Sequence, residues 1–379
     1  MTASPRKTIP LKTVAHRLLL GFTLLVLLVA AWAGLIRIGW TLPPFRVSDH
    51  GPLMIAGFLG TLIALERAIA LAAAFQQGRW AYAVPVLSAL GALGLLVGLP
   101  RPISLGLILL ASLGLSVILG IIVYRQPALF TGTMALGAIC WLVGNGFWAA
   151  GQPIYQMVAW WVGFLVLTVA GERLELSRIL RPSLASRSTF VILLGLLLSG
   201  MILTMINPDL GTRLSGIGLL ALGAWLLRYD IARRTVKQTG LTRYIALCLL
   251  SGYLWLLVGG ALGLWFGGTI AGPAYDAILH SIFLGFVISM VFGHAPMILP
   301  AVMQRSIPYH ARFYLHLILL HLSLILRIVG DLSGGFEVRR WGGLLNGIAL
   351  LVFLGITAYA VSRQSATQQH LRPVSDHRS

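Results

Sequence analysis

From end to end, apolar runs of about twenty residues alternate with short stretches that hold charge, proline or glycine. A helix rises about 1.5 Å per residue, so about 20 such residues cross a hydrocarbon layer about 30 Å thick. Run by run, the pattern predicts twelve crossings, at 17–39, 50–74, 80–98, 102–124, 128–150, 154–178, 188–206, 213–229, 243–267, 274–303, 312–331 and 340–362. The expected fold is all-α: a polytopic membrane protein whose residues 1–362 form one domain of 12 transmembrane helices. A polar tail, 363–379, reads as a disordered cytoplasmic end. The first run is too long, and too well followed by others, to be a cleaved leader.

A repeat is superimposed on this pattern. Gly57-Phe58 is followed nine residues on by Glu66-Arg67, Gly163-Phe164 by Glu172-Arg173, and Gly285-Phe286 by His294-Ala295. The motif returns in every fourth helix, so its three helices run parallel. The expectation is a pseudo-three-fold arrangement of four-helix units about an axis normal to the membrane. Transporters built from inverted repeats have their axis in the membrane plane instead.

Composition narrows the class. Of 379 residues, 58% are hydrophobic and only 10% charged, which excludes a soluble globular domain. The balance of 28 Lys+Arg against 10 Asp+Glu gives +18, but these residues lie scattered between spans rather than in one patch. That is a topological footprint, so the lipid bilayer is the expected partner and no nucleic acid is. Most basic residues, among them Arg6, Lys7, Lys12, Arg178, Arg181, Arg187, Arg233, Arg234 and Lys237, fall on one side if the N-terminus is inside. The positive-inside rule then puts both termini in the cytoplasm of a cell whose inner (plasma) membrane holds the chain, in a bacterium. Cys140 and Cys248 both lie within spans and form no haem-attachment or metal motif. Trp40, Trp80, Trp148 and Trp341 read as interfacial anchors, as do Trp160 and Trp161, for which packing on a cofactor is the alternative.

Ionisable groups inside a bilayer need a reason. His50 opens the second span and His280 lies early in the tenth, and both helices descend from the same face. Two neutral imidazoles at one depth can fill both axial positions of a haem iron; the alternative is a pair of interfacial histidines bonded to neighbours. His50, Met54, Gly57 and Thr61 would share one helical face, whose small residues leave room for a flat macrocycle or for close helix packing. His294 stands fourteen residues after His280, about 21 Å deeper and within about 40° of the same face. With His321 or His316 it could form a second haem, copper or other metal site. Glu66 and Glu172 could serve as ligands, as proton carriers, or as partners of the adjoining arginines in a salt-bridge collar.

Twelve helices in a three-fold repeat, His50-Gly51 and Met54 opening the second, and a tenth carrying an outer histidine and ending in Met-Ile-Leu-Pro resemble the core subunit of haem-copper oxidases and nitric oxide reductases. The resemblance covers nearly the whole topology but few residues. It implies that His50 and His280 ligate a low-spin haem b and that Arg339 and Arg340, between the last two spans, bind its propionates. Guanidinium groups suit that task. The departures matter as much. Trp160-Trp161 and Glu172 stand in the sixth span, no histidine stands in the seventh, and Ile278 stands where the family has a second histidine. The copper and high-spin haem ligands are therefore missing, and neither oxygen reduction nor proton pumping is expected. In this the chain resembles the NnrS group, twelve-helix haem proteins associated with nitric oxide stress. The expected function is electron transfer, with a redox partner protein, or nitric oxide handling. The competing expectations are a small-solute or ion transporter or channel lined by Glu66, Glu172, His294 and His321, and a plain scaffold.

Overall fold

The computed structural model describes residues 11–44, 49–74, 78–303 and 308–370, and among them there are helices and no strand. Twelve helices are long and apolar enough to cross a membrane: α1 (Val14–Arg37), α2 (His50–Ala74), α3 (Gly78–Val97), α4 (Arg101–Arg125), α5 (Leu129–Ala149), α6 (Ile154–Leu180), α7 (Leu184–Leu203), α8 (Pro208–Tyr229), α9 (Gly240–Phe266), α10 (Pro273–Pro300), α11 (Phe313–Ser333) and α12 (Phe336–Ser362). The protein is thus a multi-pass membrane protein embedded in lipid, and each expected span has its helix.

Where ends differ from the hydropathy reading, local capping explains it. α8 begins at Pro208 because the Asn207 side chain accepts from the Leu210 amide at 3.0 Å and proline suits a first helical turn. α7 begins at Leu184 because Ser183 caps the Ser186 amide. The last helix continues to His370, so residues 363–370 of the expected tail are helical; no glycine or proline interrupts them. Residues 371–379 of the expected tail, and Arg6 and Lys7 of the basic N-terminus, lie outside the described residues.

Burial separates three helices from the rest. In their most apolar stretches α2, α6 and α10 are 61%, 72% and 61% buried, and no other span exceeds 50%. They are the helices that carry the Gly-Phe repeat. Around them, sequence neighbours pack as antiparallel pairs, α5 on α6, α7 on α8, α8 on α9 and α11 on α12. α8 and α9 pack closely at Gly216 and Gly260: a Cβ on Gly216 would come within 2.7 Å of the Gly260 carbonyl oxygen, and one on Gly260 within 2.8 Å of that of Gly216.

α2 and α10 share a further feature. Leu53–Gly60 and Ser281–Ile288 are wound as π-helix, and each places its Gly-Phe pair at the same two positions of the eight. Bonding from i to i+5 widens the helix, and such segments cluster at functional sites.

A two-histidine cavity as the candidate cofactor site

The π-helical stretches decide which side chains face one another. In α2 the residues lining a common cavity are His50 and Gly51, Met54 and Ile55, Phe58 and Leu59; in α10 they are Tyr275 and Asp276, Leu279 and His280, Phe283 and Leu284. The pairs recur every four residues, the ordinary same-face step where the backbone is α-helical, as over Tyr275–His280, and the step persists through the wide turns. The expected face of His50, Met54, Gly57 and Thr61 is corrected accordingly. Met54 stays with His50, but Gly57 packs towards Val26 and Ala92, and Thr61 Oγ1 donates to Ser88 Oγ at 3.0 Å.

His50 and His280 meet. Their ring centres are 6.3 Å apart and their planes 19° from parallel. Backbone carbonyls fix each ring on its Nδ1 side, Ala30 O at 2.7 Å from His50 and Asp276 O at 2.9 Å from His280. These bonds place the proton on Nδ1 and leave each Nε2 with its lone pair free. Neither Nε2 has a hydrogen-bond partner among the described residues. Gly34 makes room for the first ring, since a Cβ there would sit 2.8 Å from His50 Cε1. The cavity beside the rings holds about 330 Å³, within the range of small-molecule and cofactor pockets, about 300 to 1,000 Å³.

Charge at this end of the bundle is organised around Asp276. Arg327 of α11 grips its carboxylate with two bonds, Nε to Oδ2 at 2.8 Å and Nη2 to Oδ1 at 2.9 Å, and His280 Nδ1 lies 3.2 Å from Oδ1. Such a second partner orients a ligating imidazole and makes it more basic. Of the two arginines expected at the propionates, Arg339 lines the cavity, held loosely at 3.8 Å from Asp331. Arg340 points elsewhere: its guanidinium lies 4.2 Å over the Trp40 ring and bonds Glu337 at 3.1 Å. Successive residues on a helix diverge by about 100°, so one of an adjacent pair must turn away. In its place Arg37, at the end of α1, lines the cavity with no ion-pair partner among the described residues. Arg37, Asp276, Arg327 and Gly34 escape a reading of the sequence. The available signals were an aspartate four residues before a histidine on one helix and two arginines inside otherwise apolar runs.

Trp161 also belongs to the cavity wall, 1% exposed, its Nε1 donating to Asn145 Oδ1 at 3.0 Å. With Trp148, which packs edge-on against it, it is buried inside the bundle and is not an interfacial anchor. Ile278 stands behind His280 in the wall of a smaller neighbouring cavity, about 90 Å³.

The inner group is not one metal site. His316 is enclosed by Phe292, Phe313 and Phe353, with the Tyr244 hydroxyl 2.8 Å from its Nε2. His321 accepts from Trp255 Nε1 at 2.9 Å on Nδ1 and has Ser251 Oγ 2.9 Å from Nε2, so both its nitrogens are taken. Neither meets His294, whose charged neighbour is Glu172, at 3.8 Å. Among the described residues no three His, Cys, Asp or Glu side chains converge as metal ligands. His294 instead lies on the side of α10 that meets Glu172 of α6.

Fold and cavity together define an all-helical, multi-pass membrane protein with two imidazoles, their planes 19° from parallel, brought together between its second and tenth crossings. The chain belongs to the family described as a domain of unknown function, DUF8744, whose profile matches residues 16–362. No curated protein matches the chain.

Proposed function

We propose that the protein binds haem b between His50 and His280 and acts in electron transfer. The observation that carries this reading is the separation of the two rings. Two metal–nitrogen bonds of about 2 Å, with the half-widths of both rings, put imidazole centres about 6 Å apart across one metal ion, and here they are 6.3 Å apart. The donor chemistry fits as well: both Nδ1 atoms are committed to carbonyls and both Nε2 lone pairs are free. His50 and His280 would hold the iron, while Arg37 and Arg339 are the cavity cations suited to two propionates. Held by His50 and His280, such a group would supply one-electron redox chemistry. The chain's own contribution is to fix both rings, through Ala30, Gly34 and the Asp276–Arg327 pair, and to exclude water with Phe58, Trp161 and Phe283. Kinship with haem-copper oxidases or the NnrS group, a role in nitric oxide handling, and a bacterial inner membrane with both termini cytoplasmic belong to the same proposal. They rest on the resemblance of the motifs and on the distribution of basic residues.

The test is a spectrum of protein purified after expression with ample haem, oxidised and then reduced with dithionite. Sharp reduced bands that disappear in His50→Ala and in His280→Ala are expected. A colourless wild-type protein would overturn the reading.

A further inference from the structure

At the other end of the three central helices the repeat reappears as a contact. Glu66, Glu172 and His294 occupy the same position nine residues after each Gly-Phe pair, and they meet. Arg67 of α2 bonds Glu66 at 3.0 Å and also reaches Glu172 of α6. His294 of α10 approaches Glu172 from the other side, its Nε2 3.8 Å from Oε2. The arginine next to Glu172 takes no part in this: Arg173 is bound by two bonds, at 2.8 and 3.1 Å, to Asp230, whose Oδ2 also accepts from the Tyr253 hydroxyl at 3.0 Å. Of the two expected adjacent pairs, Glu66–Arg67 forms, while Glu172 and Arg173 each take other partners.

Among the described residues this pairing leaves a charge deficit. Arg173 and Asp230 cancel, so two carboxylates, Glu66 and Glu172, face one guanidinium, Arg67, with Glu175 one turn beyond adding negative charge. The groups that face His294 are Glu172, Arg173 and Arg67. His294 Nδ1 is committed to the Met290 carbonyl at 2.7 Å, while its Nε2 is buried with no hydrogen-bond partner. An unfilled lone pair beside a carboxylate, in a cluster one positive charge short, inside a membrane, is a place for one cation of no size. Among the described residues no three His, Cys, Asp or Glu side chains gather here as metal ligands.

We propose that Glu172 and His294 form a proton-binding site in the half of the bundle opposite the two-histidine cavity, one proton being held at either Glu172 Oε2 or His294 Nε2, which lie 3.8 Å apart. Glu66 and Arg67 are its positioning pair, and the partly exposed Glu66, 28% accessible, is the side from which a proton arrives. The site does not depend on haem.

Infrared difference spectra of the full chain in nanodiscs, between about pH 5 and about pH 9, test this. Wild type should show both a carboxyl and an imidazole band that change with pH. Glu172→Gln should remove both, and His294→Gln should remove both, because the one proton moves between the two groups. If each substitution removes only its own band, or if wild type shows neither band, the proposal is overturned; the wild-type result stands whether or not the variants fold. His50→Ala should leave both bands in place, which separates this site from the haem reading.

Discussion

Gly34 lies against the imidazole of His50, so close that a methyl group there would sit 2.8 Å from Cε1 and 3.0 Å from Nδ1. Ala30, one turn earlier, accepts the Nδ1 bond at 2.7 Å. One face of α1 therefore sets both the position and the tautomer of a side chain in α2. Gly34→Ala should push the ring from its place without unfolding a helix that prefers alanine. Haem content after purification should fall by about tenfold or more, as for other losses of support behind a ligand, with the thermal midpoint little changed.

Arg37→Gln and Arg339→Gln should each weaken haem retention, by roughly tenfold for a lost charge-assisted bond. Arg340→Gln should not, because that guanidinium is stacked on Trp40 and paired with Glu337. Haem loss to apomyoglobin, followed by absorbance, ranks the three; equal loss from all of them would contradict the placement of Arg340.

His316→Phe and His321→Gln should keep the full reduced spectrum, since both rings are engaged by Tyr244, Trp255 and Ser251 rather than facing the cavity. Loss of half the haem signal in either variant would point to a second haem at the inner histidines.

Asp230 carries the most deeply buried ion pair described: its side chain is 0% and that of Arg173 3% exposed. Asp230→Ala strands a guanidinium inside the bundle and removes the acceptor of Tyr253 and of the Ala232 amide. The expected loss is about 3 to 5 kcal/mol, read as a lower unfolding midpoint in detergent. Replacing both partners together should cost less than Asp230→Ala alone, because no charge is then left unpaired.

The hydrocarbon layer made the fold legible: it demands helices of nearly fixed length, and twelve apolar runs gave twelve helices within a few residues at each end. Capping by Ser183 and Asn207 accounts for the larger shifts. The meeting of His50 and His280 was legible from depth alone, because both stand near the same ends of parallel helices. What could not be read was anything that depends on helix phase. A 3.6-residue period misplaces Gly57, Thr61 and His294 once eight residues are wound as π-helix, and it cannot say which of Arg339 and Arg340 turns inward. Contacts between distant segments, such as Arg67 with Glu172 or Arg173 with Asp230, leave no trace in local spacing.

The wide turns in α2 and α10 also make each of these helices a shaft in two sections that can be rotated independently. Deleting one residue just below the wide turns, between Thr61 and Leu65, would leave α2 long enough to span the lipid, with no wide winding at that point to take up the change. The section below the deletion would nevertheless swing by about 100°, carrying Glu66 and Arg67 off Glu172 while His50 stayed in register. The number of residues between the upper and lower groups is therefore set by their angular alignment and not by membrane thickness, so a length change that hydropathy would tolerate should uncouple the two ends.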